Sequence, residues 1–495
     1  MFQGNYVDGQ FLIPSRTDET WTVVSPGDLS DTIGELSASY SDVDKAVDAA
    51  KNSFKSWSAL SIEERKSYLI KLKEVYQKHK EEIATCISRE TGKAYWETLG
   101  EAGALAGKID ITINASLSLI EEQAITDALP GVTGRIKYRP RGVLAVLGPF
   151  NFPGHLPNGH LVPALLTGNT VVFKPSEMTP FTGQLLARCI HEAGFPKGVF
   201  NLVQGGGEVG RRLVKHDYVN GILFTGSYET GLRIKQEIVT HYWKMSALEM
   251  GGKNTSIVWD DIDMDRAVYE NLFGAFASAG QRCSCTSRII VHKDRYHEFV
   301  DRYHKSAKAI KIGHWKKDVF MGPLINDRSV EKFLRFQEIA KREGAENIMR
   351  GKALELDTKG HYVTPSINLV NEHRSDSVYE KEEIFGPNVA IYKSDDLDEA
   401  IALANDTSYG LSAAVFSKTR SVYEKVAADL EVGLLNWNRA TCGASSKLPF
   451  GGFKKSGNGH PSAHFAVYYC TEPVAYLEDE GEFDASKLAT GVELK

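Results

Sequence analysis

The rhythm of apolar and polar positions changes near residue 143. Before it, apolar residues recur at helical spacing. Asp42–Trp57 puts Val43, Ala46, Val47, Ala50 and Phe54 on one face, the pattern of an amphipathic helix. Ser61-Ile-Glu-Glu64 is a capping box opening a second helix, with Tyr68, Leu69, Leu72, Val75 and Tyr76 apolar and Gly92 as the expected stop. Trp96–Gln123 predicts a third, weakened by Ser, Thr and Gly. The first 120 residues thus read mostly as helix.

From residue 143 short apolar runs alternate with helical patterns: Val143–Phe150, Thr170–Phe173, Val199–Val203, Ile222–Phe224 and Ser256–Trp259. Runs without polar alternation predict strands buried on both faces, hence parallel sheets between helices. A second set follows at Arg288–Val291, Val389–Tyr392, Ala413–Phe416 and Leu434–Trp437. The prediction is an α/β chain of two doubly wound domains, one from 1–124 with 142–253 and one from 254–459. The polar segment 125–141 and the tail 460–495 fit neither, and are expected to pair as a small β extension outside both cores.

A chain of 495 residues exceeds one ordinary core, which agrees with that division. The balance of 42% apolar and 25% charged residues excludes collagen-like, disordered and disulfide-scaffold classes. Net charge is −6 with no basic block, so no nucleic-acid partner is expected. Six cysteines in so long a chain suggest reduced thiols and a cytoplasmic location. Cys283-Ser-Cys285 lacks the spacing and the histidine partners of a zinc site, and no metal is expected. Neither a secretion signal nor an apolar run long enough to span a membrane is visible.

Candidate chemistry lies in five places. Gly205-Gly-Gly207-Glu-Val-Gly210 follows a predicted strand and opens a helix, matching the dinucleotide fingerprint, although a glycine-rich helix cap reads the same way. Phe224-Thr-Gly226-Ser227 with Gly231 is a second candidate: Gly226 would let backbone approach a pyrophosphate and Ser227 would donate to it at the positive helix end. Local sequence does not choose between them. Phe173-Lys174-Pro-Ser-Glu177 ends a buried strand, where Glu177 suits a ribose diol and repels a 2′-phosphate, favouring NAD. Its plainer reading is a surface ion pair worth under about 1 kcal/mol. Pro149-Phe-Asn151-Phe-Pro153 fixes an amide between prolines, suiting an oxyanion donor or a simple turn. Glu249 in Leu-Glu-Met-Gly-Gly-Lys253 and Cys283 in Gly-Gln-Arg-Cys give a carboxylate and a thiol in glycine-rich settings. A buried structural thiol is the common alternative for Cys283, and Cys285 is its decoy.

These motifs, with Glu382-Glu-Ile-Phe-Gly-Pro387 and Pro449-Phe-Gly-Gly452, occur in the order seen in the aldehyde dehydrogenase superfamily, which the chain resembles over nearly its whole length. The resemblance implies a Rossmann-like cofactor domain, a catalytic domain, and an oligomerisation extension made from 125–141 and 460–495, in a homodimer or homotetramer. It implies Cys283 as nucleophile, Glu249 as general base, and Asn151 with the Cys283 N–H as oxyanion hole. It places NAD on Gly226–Gly231, with Lys174 and Glu177 on one ribose and Glu383 and Phe385 on the nicotinamide ribose and ring. Asn151-Phe-Pro-Gly-His155-Leu-Pro-Asn158-Gly-His160 and Asn436-Trp-Asn438 are most similar to a branch acting on a dicarboxylic semialdehyde, where Lys-Pro-Leu-Thr-Gly is expected in place of Arg439-Ala-Thr-Cys-Gly443. Such an anionic small molecule needs cationic or amide donors. Arg282 and Arg439 are candidates, with His155, Asn158 and His160 expected along the same tunnel, and structural ion pairs are the competing reading of each arginine. Rival functions are a coenzyme A-acylating or another semialdehyde dehydrogenase, a cysteine hydrolase, and a non-catalytic module. Glu249 argues against the acylating enzyme, the presence of both Cys283 and Glu249 against the module, and the want of a motif pairing a His with Cys283, with an idle nucleotide half, against the hydrolase.

Overall fold

A computed structural model of the chain describes every residue except Met1, Phe2, Ser15, His460 and Pro461. The buried runs of the first half form one seven-stranded sheet. Its order is Met245–Glu249, Val219–Thr225, Val143–Leu147, Thr170–Lys174, Phe200–Leu202, Asn5–Val7, Gln10–Leu12. The first five strands are parallel and the last two add antiparallel. Val143–Leu147 and Thr170–Lys174 are buried throughout, since helices cover both faces. Chain order reverses between Val143–Leu147 and Val219–Thr225, which creates a crevice beyond the carboxyl ends of those two strands.

The second seven-stranded sheet runs Glu346–Met349, Ser366–Val370, Asn388–Ser394, Thr286–His292, Asn254–Val258, Ser412–Phe416, Leu434–Trp437, all parallel except the first. Ser256–Trp259, grouped by rhythm with the first set of runs, therefore belongs here. A separate antiparallel sheet joins Gln123–Leu129, Val132–Pro140 and Thr471–Glu478.

The N-terminal expectation needs correction. Asn5–Val7, Gln10–Leu12, Glu19–Ser25 and Asp28–Ala38 are strands, not helix, and Glu19–Ser25 pairs with Asp28–Ala38 as a hairpin across Pro26-Gly27. The signal was alternation of Thr20, Thr22 and Trp21, Val23, with β-branched residues suited to a pleated surface. The helix opened by the Ser61 capping box is observed, but breaks at His79 into Ile62–Lys78 and Lys80–Thr91, ending on Gly92 at φ 73°. The third helix stops at Asn114, and Gln123 already opens a strand.

Candidate active site

The crevice at the strand-order reversal is a cavity of about 980 Å³. Both glycine-rich turns reach it: Gly207 and Gly210 line one side, Gly226 and Ser227 the other. Ser227 caps the helix Tyr228–Glu237, accepting from the Thr230 N–H and donating its hydroxyl hydrogen to Thr230 Oγ1 at 3.2 Å, so in this structure the hydroxyl is engaged at the helix start. Gly231 does not line the cavity. It is required because a side chain there would strike Met250. Lys174 and Glu177 do line it, 3.6 Å apart, with Glu177 half exposed and the Lys174 ammonium donating to the Pro175 carbonyl. Burial lowers the Lys174 pKa, and the Glu177 charge opposes that.

At the inner end lie Asn151, Cys283, Glu383 and Phe385. The loop before Cys283 is strained: Ser278, Ala279 and Gly280 all have φ between 54° and 71°. Non-glycine residues rarely adopt that region, and the cost is of order 1–3 kcal/mol each. Gly280 also abuts the Gly386 carbonyl, where no Cβ fits. Asn254 fixes the far side, donating to the carbonyls of both Cys283 and Cys285. This separates the two thiols. Cys283 faces the cavity, whereas Cys285 is buried and points at the Ala277 carbonyl. Burial, then the charges of Glu249 and Glu383, push the Cys283 thiol up to about 12. Glu383 is raised to about 7, mainly by burial, while its bond from the Gly252 N–H opposes the shift. Lys253 holds the same loop by donating to the carbonyls of Tyr379 and Glu382.

Glu249 ends the edge strand of the first sheet, 3% exposed, with neither carboxylate oxygen hydrogen-bonded among the described residues. Desolvation raises its pKa well above that of a free carboxylate. It does not line the cavity. Asn151 is buried and uses one amide hydrogen on the Gln281 carbonyl at 3.0 Å, which leaves the second for another acceptor.

A family model described as "Aldehyde dehydrogenase family" matches residues 13–475. The chain belongs to the aldehyde dehydrogenase family. It is 37% identical over 494 residues to an N-succinylglutamate 5-semialdehyde dehydrogenase of Acinetobacter baylyi, covering 99% of this chain and 98% of that one. Among solved structures it is similar to Escherichia coli lactaldehyde dehydrogenase (TM-score 0.90, 33% identity, 97% and 99% coverage). It is also similar to a Thermus 1-pyrroline-5-carboxylate dehydrogenase with bound NAD (TM-score 0.90, 30% identity, 96% and 93% coverage).

Against that aldehyde dehydrogenase frame, the residues expected to meet the substrate fare differently. Arg282 is not free. It pairs with Glu97 at 2.6 Å, donates to Ser278 Oγ, and packs over Phe152. Burial is the largest single influence and lowers its pKa, but the Glu97 carboxylate together with Cys442 and Cys285 outweighs it, and the net shift is upward. Arg439 is exposed and makes no ion pair among the described residues. Asn158 is core, donating to the Leu105 carbonyl, and neither it nor His155 nor His160 lines the cavity. His160 accepts from or donates to the Tyr469 hydroxyl at 2.7 Å, and burial depresses it to about 3, so it is neutral. Burial likewise lowers His155. The sequence reading missed Glu97, Glu101 and Lys93. Their one signal was two acids a helical turn apart on a face otherwise made of Ala102, Leu105 and Ile109.

Proposed function

We propose that this protein oxidises N-succinyl-L-glutamate 5-semialdehyde to N-succinyl-L-glutamate with NAD, through a covalent intermediate on Cys283. The observation that carries the chemistry is a cavity-facing thiol at the inner end of a nucleotide-shaped crevice, accompanied by a buried carboxylate without partners. The full-length likeness to the A. baylyi enzyme supports the substrate.

The residues present fit a dinucleotide. Carboxylates stand along the crevice at Glu177 and Glu383 to accept ribose hydroxyls, and the helix Tyr228–Glu237 turns its positive end toward the space between. Hydride acceptance is the chemistry a bound NAD supplies, and it leaves Cys283 as a thioester. The chain's own groups do the rest. Burial keeps the resting Cys283 thiol protonated, so its proton leaves as the sulfur attacks the aldehyde carbon. That proton is released to water, one for each hydride transferred, which leaves the Glu249 carboxylate, with both oxygens unpartnered, as a base for the later hydrolysis. The second amide hydrogen of Asn151 and the Cys283 N–H take the developing oxyanion. Glu249 then draws a proton from the water that hydrolyses the thioester. Phe385 would hold the nicotinamide ring, and its own ring stands edge-on to Phe150 at 5.9 Å.

Glu177 beside Lys174 supports NAD over NADP, because a 2′-phosphate would meet a carboxylate. A cytoplasmic homodimer or homotetramer accompanies this reading, and among the described residues no helix is long and apolar enough to cross a membrane. The test is NADH formation with N-succinylglutamate semialdehyde beside succinate and glutamate semialdehydes, with NAD and then NADP. A preference of at least tenfold in kcat/KM for the succinylated substrate with NAD supports the proposal. Equal rates across the three aldehydes would remove the substrate assignment while leaving the family chemistry.

A further inference from the structure

The helix Tyr95–Asn114 carries two carboxylates one turn apart, Glu97 and Glu101, with side chains 1% and 0% exposed. Each grips a different loop of the site. Glu97 Oε1 accepts from the Arg282 guanidinium and the Ser278 hydroxyl, both at 2.6 Å, so it holds the strained segment leading to Cys283. Glu101 Oε1 accepts from the backbone N–H groups of Gly154 and His155 at 3.0 and 3.1 Å, and its Oε2 accepts from Lys93 at 2.7 Å. Lys93 in turn donates to the Asn151 carbonyl at 3.0 Å. The Asn151 amide closes the ring onto Gln281, two residues before Cys283. Both arms also meet at the Phe152 ring, whose centroid lies 3.6 Å from the Lys93 ammonium and 5.2 Å from the Arg282 guanidinium.

We propose that Glu97 and Glu101 are positioning residues that fix the oxyanion-binding amide of Asn151 and the backbone of Cys283 at one mutual spacing. The inference rests on the mechanism proposed above. A helix is stiff over a single turn, so two loops far apart in the chain are referred to one rigid ruler. The ruler is charged because charge-assisted bonds are the stronger kind, and both acids are matched by a cation, which a buried carboxylate requires. Arg282 is thereby committed to the nucleophile loop rather than to a substrate carboxylate. The arrangement acts on the oxyanion, a feature shared by every aldehyde.

The test uses Glu97→Gln, Glu101→Gln and the double variant, assayed in the full-length protein with N-succinylglutamate semialdehyde and with an uncharged aldehyde such as propanal. Misplacing one oxyanion donor by a fraction of an ångström is expected to lower kcat about ten- to hundredfold. The KM for the nucleotide should stay within about twofold. The fold-loss should be the same for both aldehydes, and the double variant should lose no more than about the worse single one, since both changes break one geometry. A loss confined to the anionic aldehyde would overturn the proposal by making the Glu97–Arg282 pair a substrate contact. Independent, multiplying losses, or kcat within twofold of wild type, would also overturn it. Should a Gln variant fail to fold, Ser278→Ala removes only the hydroxyl bridging Glu97 and Arg282, and the same uniform kcat loss, smaller in size, is expected. The propanal arm reads the clamp even if the succinylated substrate proves wrong.

Discussion

Replacing Glu249 by Gln separates two half-reactions. The carboxylate is 3% exposed and makes no hydrogen bond among the described residues, so the fold holds a charge that burial disfavours. Gln has nearly the same volume and no charge. Two effects follow. The first is catalytic: without a base for water, the thioester on Cys283 should form and then persist. General-base catalysis contributes about 10²–10⁴ in rate, so steady-state turnover should fall by that factor while one equivalent of NADH per site appears in a burst. Stopped-flow absorbance reads the burst, and intact-protein mass after acid quench reads the acyl adduct. The second effect is thermodynamic, and its sign is opposite to that of most core mutations. Because the folded pKa lies above the unfolded one, the wild-type fold is penalised as pH rises past the unfolded value near 4.5, by about 1.4 kcal/mol for each pH unit until the folded pKa is reached. Glu249→Gln lacks that penalty. Its thermal midpoint should exceed wild type at pH 8, and the difference should vanish toward pH 4. A variant with near-normal turnover and no trapped adduct would refute the base assignment. A variant with neither burst nor turnover would move Glu249 from water activation to proton removal from the thiol.

Three further predictions concern residues that line the cavity or neighbour one that does. Cys283→Ser should reduce turnover by more than about 10³-fold, whereas Cys285→Ser should keep most of it, because only the first thiol faces the cavity; the reverse outcome in a steady-state assay would exchange their roles. Glu383 is held near pH 7 by burial, so its charged, diol-accepting form grows as pH rises through 7. The KM for NAD should therefore fall between pH 6 and 8 in wild type and stay flat in Glu383→Gln. Glu177→Ser should raise kcat/KM with NADP about tenfold or more relative to NAD, since removing a carboxylate beside a 2′-phosphate relieves like-charge repulsion; an unchanged ratio would mean that Glu177 does not face that position.

What the sequence made legible was local. Val143–Leu147, and Ile289–Val291 within the strand Thr286–His292, are recognisable because burial on both faces leaves an unbroken apolar run. Cys283 and Glu249 stand out because each lies among glycines whose spacing is itself a local property. The N-terminal strands escaped because Asn5–Val7 is three residues long and meets its partner at Leu202. Ser227 looked like a phosphate donor because sequence shows a hydroxyl at a helix start without showing that the helix consumes it.

Arg282 shows the same limit at the reaction centre, and with a chemical consequence. An arginine beside a nucleophile invites a role with an anionic substrate, and nothing within ten residues argues otherwise. Its partner lies 185 positions away, at Glu97. Once that pair and the Lys93–Glu101 pair are in place, the charges flanking Phe152 cancel, two cations against two carboxylates. Burial also keeps the thiol of Cys283 uncharged at rest. The paired groups around Phe152 therefore add no net charge at the reacting carbon, and the charges that act on the thiol are those of Glu249 and Glu383. A desolvated setting amplifies whatever charge the reaction creates, because each oriented N–H acts there at low dielectric. The consequence is a division of labour. On the proposed mechanism, recognition of the substrate's carboxylates falls to groups other than Arg282, and those next to Cys283 respond to the oxyanion. Arg282→Lys should accordingly lower kcat for charged and uncharged aldehydes alike, since an ammonium cannot reproduce the guanidinium's simultaneous hold on Glu97 and Ser278.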